Sequence, residues 1–523
     1  MARRIAPPAG SSAHWLQPLD RVAWVLMAVL LVLTGLLLAG GDHASPRVRE
    51  FSWDGRQVGA EDRAFLMTFS RPMDRQSVEQ NLRIEPPLSG KISWAGRRMA
   101  YTLDTPAPYG TEYQVRLQGA RDRFNQSTDT NLLQPFESTF KTRDRAFVYL
   151  GAEGEEEGRL VLQNLTRNEK TILTPPDLGI FDYEPYPEGD RILFSAIDRK
   201  NRADDLSPFL YTVTTGLLPE APAPTIGEIK AGEPVRRDRQ PQPAGIVQLV
   251  LGDSEYQNLK FDLSPDGQRI AVQRVNRQNP VDFGLWVIEP GEPAKPVPTE
   301  PGGDFVIAPD GRTIAMAQGE GMAILSLTPE EDEAEEGKPL DFLPKYGVAL
   351  SFSNDGAAAA MVRFNRDPQN PTRSLFLVTN QGQEKELLTT DGSIFTAQFD
   401  PTNSLLYCLV STRVPGDIYV EQPYLVAINL KSGVRTDLLK LPIQRDIQIA
   451  LAPDGLGLLF DQVVSAADDT EETEEGVAQG NDGRAIATSR LWFLPLQLDD
   501  EGNPQKVAPQ PLAVAGLRPR WLP

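Results

Sequence analysis

Apolar and polar residues alternate in short runs from residue 146 to the C terminus, with a turn signal between runs. Alternation over about four to eight residues predicts β-strands. The third run of each group is the clearest, with examples at Phe209 to Thr214, Leu285 to Ile288, Met322 to Leu327, Leu375 to Thr379, Tyr424 to Leu430 and Leu491 to Leu496. A short fourth run follows, as at Lys385 to Thr390 and Thr436 to Leu441. The pattern predicts repeated four-stranded sheets.

One turn motif recurs with this alternation. Its copies are PEGDRILFS from Pro187, SPDGQRIAV from Ser264, APDGRTIAM from Ala308, SNDGAAAAM from Ser353, DPTNSLLYC from Asp400, APDGLGLLF from Ala452 and the truncated RWLP ending at Pro523. Proline presets φ, Asp or Asn bonds to its own backbone, and Gly takes the left-handed position. Asn403 replaces this Gly in the fifth copy, and Asn tolerates a left-handed backbone best among the other residues. The base interval, in the mid-forties, is that of four-stranded propeller blades.

The SPDG repeats resemble those of the TolB-type β-propeller, a relative of WD-repeat propellers, over about Ala146 to Pro523. Three runs at the start of this region, from Ala146 to Leu173, lack a preceding turn motif, whereas Arg518 to Pro523 form a run with nothing after it. We expect these two ends to complete one blade and remove the exposed sheet edges. The expected domain at 146–523 is therefore a seven-bladed β-propeller.

Residues 46–142 form a separate unit of alternating runs with proline-rich corners, which predicts a small antiparallel sandwich. The unit resembles the bacterial Ig-like domains of surface-layer proteins such as SbsA. The residues that carry this resemblance are Phe69, Ser70, Pro72, Met73 and Asp74, then Tyr109 to Val115, then Asp122 and Asn125. The only cysteine of the chain is Cys408, so no disulfide can form within this unit.

Val22 to Gly41 carry no charge, and at about 1.5 Å per residue this run spans about 30 Å, the thickness of the hydrocarbon core. A buried globular helix and a cleaved signal peptide are the alternatives, but the Asp42-His43-Ala44 site matches a signal cleavage site poorly. We therefore expect a transmembrane helix at 22–41. Arginines precede it, which predicts a cytoplasmic segment at 1–21 by the positive-inside rule. Both folded domains would then lie outside the plasma membrane, in the periplasm or the extracellular space.

The composition is acidic, with 72 Asp and Glu against 52 Lys and Arg and a formal net charge of −20. This charge disfavours nucleic acid as a partner. Three acidic stretches, Glu153 to Glu157, Glu330 to Glu336 and Asp468 to Glu475, lack the ligand spacing of a calcium site, so solvated surface loops are expected. The proline-rich segment from Leu218 to Gln242 indicates a flexible insertion.

The sequence contains few of the residues and motifs that enzymes use for catalysis. The only histidines, His14 and His43, lie outside the folded domains, which excludes histidine-dependent triads and metal sites there. No G-x-S-x-G motif of an α/β-hydrolase domain is present. Glycoside hydrolysis needs only two carboxylates, so a carboxylate-dependent carbohydrate-active or other hydrolytic propeller remains the alternative.

The residues that could suggest chemistry have simpler structural interpretations. Asp266, Asp310, Asp355 and Asp454 share one turn position, which favours a structural role. Cys408 is expected to be a buried small hydrophobe. Trp286 and Trp492 occupy equivalent third strands and are expected to pack between blades, and Trp521 is expected to pack in the closing strand.

These observations predict an all-β, membrane-anchored binding or scaffold protein with no catalytic, cofactor-binding or metal-binding residues. The sandwich would serve as a stalk, and the propeller would present its central mouth to a protein or another envelope component. The binding idea comes from the resemblance to TolB-like propellers, which act in envelope protein interactions. A purely structural envelope component is a further possibility.

Overall fold

The structure is a computed structural model that describes residues 18–39, 45–123, 132–201, 208–217, 242–252, 255–328, 339–365, 367, 369, 371–444, 446–465 and 486–523. The first element is helix α1, Pro18–Ala39, whose described side chains at 22–35 are exposed. Among the described residues, no helix meets the combined length and apolarity of a membrane span.

Residues 45–142 form two four-stranded sheets around one core, a unit named here the sandwich. Its strands are β1 Val48–Phe51, β2 Gln57–Val58, β3 Ala64–Phe69, β4 Leu82–Glu85, β5 Gly90–Ala95, β6 Arg98–Leu103, β7 Glu112–Leu117 and β8 Phe136–Thr142. The sheet orders are β1-β3-β6-β5 and β2-β8-β7-β4. Trp53, Phe65 and Phe140 pack edge to face at the centre of the core.

The sandwich differs from the predicted antiparallel arrangement in two places. Strand β2 pairs with β8 in parallel. Arg75–Asn81 form a short helix, α2, which the alternation did not predict, and its Val78 is fully buried in the core. The Asp122 of the sequence motif is buried beside Arg71, while Asn125 lies outside the described residues.

Seven four-stranded sheets follow, and together they are named here the sheet ring. Sheet 1 contains β9 Ala146–Gly151, β10 Leu160–Asn164, β11 Glu169–Ile172 and the last strand, β36 Gly516–Trp521; sheet 2 contains β12 Leu178–Pro185, β13 Arg191–Asp198, β14 Phe209–Thr214 and β15 Val247–Leu251. Sheet 3 contains β16 Tyr256–Leu263, β17 Ile270–Asn276, β18 Phe283–Ile288 and β19 Lys295–Pro296; sheet 4 contains β20 Phe305–Ile307, β21 Thr313–Gln318, β22 Gly321–Ser326 and β23 Asp341–Leu343; sheet 5 contains β24 Val348–Phe352, β25 Ala358–Phe364, β26 Arg373–Thr379 and β27 Glu384–Thr390. Sheet 6 contains β28 Ile394–Phe399, β29 Leu405–Val414, β30 Val420–Asn429 and β31 Arg435–Lys440; sheet 7 contains β32 Ile449–Leu451, β33 Gly457–Ser465, β34 Ile486–Pro495 and β35 Gln510–Pro511. Two three-residue 3-10 helices, Gly154–Glu156 and Arg199–Asn201, lie in loops.

The two ends of the ring meet in sheet 1. Strand β36 pairs antiparallel with β9, with Leu517 opposite Leu150 and Trp521 opposite Phe147. The predicted pairing between the C-terminal run and the start of this region is therefore confirmed.

Each pair of neighbouring sheets shares one hydrophobic core. Tyr183 of sheet 2 packs with Val148 of sheet 1, for example, and Cys408 of sheet 6 packs with Ala360 of sheet 5. The cluster that contains Phe147 and Leu459 joins sheet 7 to sheet 1. The sheets thus form a closed arrangement in which buried apolar surface joins each sheet to the next.

The repeat turns adopt the predicted left-handed conformation. The glycine at the fourth turn position has φ of 66° in Gly267, 67° in Gly311, 68° in Gly356 and 74° in Gly455. Asn403 has φ of 58°, as expected for the residue that replaces glycine there. Gly189, in the first copy, has φ of 69°, so the six turns share one geometry despite different side chains.

Equivalent turns also contact each other. Arg269 donates to Gly311 O at 3.2 Å, and Asn354 N donates to Asn403 Oδ1 at 2.9 Å. Since each turn follows the innermost strand of its sheet, all of them lie at one end of the sheet ring, named here the turn end. The opposite end is named the far end.

The sandwich lies against the turn end. Arg63 donates to Pro401 O at 3.0 Å, Tyr109 N donates to Asp454 Oδ2 at 3.0 Å, and Arg143 donates to Pro187 O at 3.4 Å. These contacts reach the turns of sheets 6, 7 and 2. Only residues 143–145 separate β8 from β9. The sandwich itself therefore contacts the turns of sheets 6 and 7, and the linker after it contacts the turn of sheet 2.

Candidate functional site

The innermost strands of the seven sheets surround a central channel. A cavity of about 640 Å³ lies within it, and its wall includes residues of β12, β16, β28 and β36. Five polar side chains of the wall occupy the same register, five residues before the turn proline, namely Asp182, Lys260, Thr396, Gln448 and Arg518. A single repeat position therefore supplies much of the polar lining.

A β-bulge recurs in the innermost strands just before this polar layer. The register shifts between Ile180 and Asp182 in β12, between Asn258 and Lys260 in β16 and between Ile394 and Thr396 in β28. The extra residue in each case is apolar and exposed, with Phe181 at 48%, Leu259 at 49% and Phe395 at 38%. Bulges re-aim side chains, and here they leave three large apolar groups in solvent.

These three residues, named here the bulge residues, lie toward the far end, because each is six residues before its turn proline. Phe181 and Leu259 line the cavity itself. Alternation alone did not identify them. The signal that could have done so is an apolar side chain at this register in three repeats, next to a polar residue.

Arg520 is the centre of a charged cluster nearer the turn end. Its side chain projects into the channel, so it keeps accessible surface although protein atoms surround it. Desolvation lowers the pKa of Arg520, but the carboxylates of Glu184, Asp182 and Asp262 outweigh this effect and raise its pKa overall. The guanidinium is therefore a permanent positive charge in the channel wall.

Glu184 and Asp262 occupy the register of Arg520 in sheets 2 and 3 and hydrogen-bond each other. Desolvation and the charge of Asp262 raise the pKa of Glu184 to about 8. Desolvation also raises the pKa of Asp262, whose Oδ2 accepts a hydrogen bond from Ile307 N at 2.7 Å. At neutral pH the pair of Glu184 and Asp262 thus retains a proton.

Arg518 connects three sheets at the place where the chain ends meet. Its backbone N–H donates to Asp461 Oδ2 at 2.7 Å, its guanidinium donates to Phe181 O, and its carbonyl accepts from the Tyr183 hydroxyl. Asp461 also accepts from Gln448 N at 2.6 Å, and desolvation raises the pKa of Asp461 to about 6. These bonds hold β36, β12 and β33 in register around the channel.

A second cavity, of about 520 Å³, lies between the sandwich and the turns of the ring. Ala60, Glu61 and Arg63 line it on one side, and Pro401 and Pro453 on the other. Gln398 lines both this cavity and the central one. The sandwich therefore borders the turns of sheets 6 and 7.

The turn aspartates have the structural role that their shared position predicts. Asp266 accepts from Gln268 N at 3.0 Å, Asp310 from Thr313 N at 2.8 Å, and Asp355 from Ala357 N at 3.1 Å. Asp454 accepts from Leu456 N at 3.1 Å in the same way. It also forms an ion pair with Arg145, so one of the four aspartates has an additional role.

The other residues singled out in the sequence are mostly buried or outside the described residues. Cys408 is fully buried, and desolvation raises the pKa of its thiol. Trp521 packs on Phe147 and Phe493 between sheets 1 and 7, and Trp492 packs in the core between sheets 6 and 7. Trp286 differs, because its ring contacts are Tyr256 and Arg274 of its own sheet.

The acidic stretches show no metal site where they can be observed. Glu156 of the first stretch accepts from the Tyr149 hydroxyl and pairs with Lys170. The stretches Glu330 to Glu336 and Asp468 to Glu475, and nearly all of the insertion at 218–242, lie outside the described residues. Within the part of the chain that the structure describes, no three metal-ligating side chains form a group that could hold an ion.

No known family model matches the chain, and no curated protein matches its sequence. Solved structures similar to it include TolB from Acinetobacter baumannii, with 11% identity and a TM-score of 0.37, in a match that covers 90% of this chain and 87% of that one. An oligogalacturonate lyase in complex with manganese has 12% identity and a TM-score of 0.40, and the match covers 73% and 94% of the two chains. The β-propeller domain of the Trilobed protease from Pyrococcus furiosus has 12% identity and a TM-score of 0.36, with 63% and 85% covered. At such values no activity is transferred from these proteins to this chain.

Proposed function

We propose that this chain is a single-pass, membrane-tethered binding protein that recognises a protein or another envelope component outside the plasma membrane. In this proposal the sheet ring is a seven-bladed β-propeller of the TolB type, and the sandwich is a bacterial Ig-like domain. The observation that carries the proposal is the set of exposed bulge residues around the far end of the channel. In this proposal the partner contacts the far end of the channel.

Exposed apolar side chains next to a polar cavity are typical of recognition surfaces. Phe181 and Leu259 each keep about half of their surface in solvent. Interfaces concentrate their binding energy in a few such anchors, which pack into the partner and exclude water. The neighbouring polar layer, with Asp182, Lys260 and Arg518, supplies the charges that would fix orientation.

The position of the sandwich supports the choice of the far end. Contacts from Arg63, Tyr109 and Arg143 occupy three turns at the turn end. A partner that approached the turn end would have to displace these bonds. A partner that approached the far end would contact the bulge residues without displacing these hydrogen bonds.

Membrane tethering in this proposal rests on the uncharged run from Val22 to Gly41 and on the arginines that precede it. Protease added to intact cells or spheroplasts should then digest the folded domains and leave a short N-terminal fragment. Protection of the whole chain would remove this part of the proposal.

A carboxylate-dependent hydrolase is the second candidate, because the raised pKa of Glu184 would suit a general acid. The direct hydrogen bond between Glu184 and Asp262 argues against it. Glycosidases hold their two carboxyl groups at least about 5 Å apart to admit the substrate between them. We therefore propose binding without turnover.

The test is the capture of partners from native envelope extracts with full-length protein. We expect the double variant Phe181→Asp with Leu259→Asp to lose retained species that the unmodified protein captures, since two anchors become charged. Leu498→Asp is the matched control, because Leu498 is 50% exposed but follows β34, outside the innermost strands.

Equal retention by the double variant and by the control would contradict recognition at the far end. Surface substitutions usually change stability by about 0.5 kcal/mol or less, so all variants should unfold at similar temperatures. Hydrolysis of a glycan or peptide panel that is lost in Glu184→Gln would favour the enzyme instead.

A further inference from the structure

The outermost strand of sheet 2 differs from its six counterparts. Proline or charged residues occur in β11, β19, β23, β27, β31 and β35, whose sequences are EKTI, KP, DFL, EKELLTT, RTDLLK and QP. Strand β15, with the sequence VQLVL, has neither. Charges and prolines on edge strands prevent pairing with other chains, so β15 alone among the seven lacks this protection.

The free side of β15 is accessible. In the described part of the chain, β15 pairs only with β14, where Val247 lies opposite Val213 and Leu249 opposite Tyr211, and a β-bulge at Val250 interrupts the register. Leu249 is 58% exposed, more than any of the bulge residues. Among the described residues, the strand thus has an unpaired backbone edge and an apolar side chain that is exposed.

We propose that β15 is a self-association site, at which the β15 edge of a second copy of this chain pairs antiparallel to form a continuous eight-stranded sheet. This inference is independent of the partner proposed for the far end of the channel.

A second copy fits this edge because of the composition of the strand. In a twofold antiparallel pairing about Leu249, each residue meets the same few residues of the other copy. Since β15 is uncharged, no like charges oppose each other, and Val and Leu contact Val and Leu. Strand β27, in contrast, carries charges at Glu384, Lys385 and Glu386.

The pairing involves five residues in each copy, so the interface is small and the dimer should be weak. Covalent cross-linking is a better test for such a weak dimer than a mass measurement at low protein concentration. Cys408 is fully buried, so an introduced cysteine would provide the reactive thiol.

The experiment is cross-linking of full-length Leu249→Cys in its native membrane fraction with a short bismaleimide. Directly opposed residues of paired strands have Cβ atoms about 5 Å apart, so we expect a covalent species of twice the mass of the chain. Leu340→Cys is the matched control. Leu340 is 57% exposed and adjoins β23, an edge that carries Asp341, so it should cross-link at background level.

A charge in the strand provides the second readout. Leu249→Lys in a Gln248→Cys background should reduce the cross-linked dimer about tenfold relative to Gln248→Cys alone, because two lysines then oppose each other. Equal cross-linking of Leu249→Cys and Leu340→Cys, no cross-linked species at all, or a product with a different protein would each overturn the proposal.

Discussion

Asp454 Oδ2 accepts a hydrogen bond from the backbone N–H of Tyr109 at 3.0 Å, which joins the last repeat turn to the sandwich. The same carboxylate pairs with Arg145, and its side chain is 1% exposed. Asp266, at the equivalent position of sheet 3, bonds Ser264 and Gln268 of its own turn. One motif position thus serves local turn geometry in one repeat and assembly of two units in another.

Replacement of Asp454 by alanine should destabilise the protein strongly. The Arg145 guanidinium and the Tyr109 N–H would both lose their acceptor in a buried place, and removal of one partner of a buried pair costs about 3 to 5 kcal/mol. Chemical denaturation of full-length protein, followed by tryptophan fluorescence, measures this loss. Trypsin should also cleave faster at Arg143 and Arg145, because the segment between the two units would be less restrained.

Asp266→Ala is the matched control for this prediction. It removes hydrogen bonds within one turn only, so we expect a loss of about 1 kcal/mol and unchanged cleavage between the units. Similar losses in the two variants would show that Asp454 has no role beyond its turn.

Deletion of Leu517 to Pro523 should prevent formation of a stable monomer. The deletion removes β36 from sheet 1 together with the buried side chains of Leu517, Trp521 and Leu522. Each such loss costs about 2 to 5 kcal/mol, and their sum is comparable to the whole stability of a typical domain. Size-exclusion chromatography should show aggregates, since the edge of β9 becomes exposed. A monomeric product with the thermal stability of the full chain would contradict the role of β36.

Much of the fold was accessible from the sequence because it is encoded locally and repeatedly. Strand β14 was predicted at Phe209 to Thr214 and forms there, and the left-handed Asn403 followed from a single substitution in a repeated motif. The pairing of β36 with β9, although distant in sequence, followed from counting runs at both ends.

The features that alternation did not predict depend on small shifts of register or on contacts between units. A bulge inserts one residue and changes which face Phe181 occupies, and binary alternation does not resolve this step. The acidic pair of Glu184 and Asp262 comes from two sheets whose innermost strands are neighbours. The role of Asp454 depends on where the sandwich lies, and no periodic signal in the chain specifies that position.

Two substitutions of Asn403 should separate backbone strain from side-chain bonding. Asn403 Oδ1 accepts from both N and Nδ2 of Asn354, at 2.9 Å and 3.0 Å, and both Asn403→Gly and Asn403→Ala remove these bonds. Only the alanine variant must also hold a residue with a Cβ at a φ of 58°, and this left-handed conformation costs about 1 to 2 kcal/mol of stability. Denaturant unfolding should therefore rank the unmodified protein above Asn403→Gly, and Asn403→Gly above Asn403→Ala. Equal stability of the two variants would mean that the turn relaxes to a different backbone conformation.

The acidic pair in the channel predicts that stability falls as pH rises. Glu184 has a pKa of about 8 in the folded protein and an ordinary value of 4.5 when unfolded, so between these values the folded state holds a proton that the unfolded state has released. The stabilisation is complete below pH 4.5 and is lost as pH rises through 8. Thermal unfolding at intervals from pH 5 to pH 9 should show a declining Tm, and Glu184→Gln should flatten this decline because glutamine does not titrate.

Asp461→Asn provides the control, since the same reasoning applies to a lower pH window. The pKa of Asp461 is raised from 3.8 to about 6, so this group affects the slope below pH 6 and leaves the slope between pH 6 and 8 unchanged. If Glu184→Gln leaves the decline between pH 6 and 8 intact while Asp461→Asn removes it, the proton at neutral pH does not reside on the pair of Glu184 and Asp262.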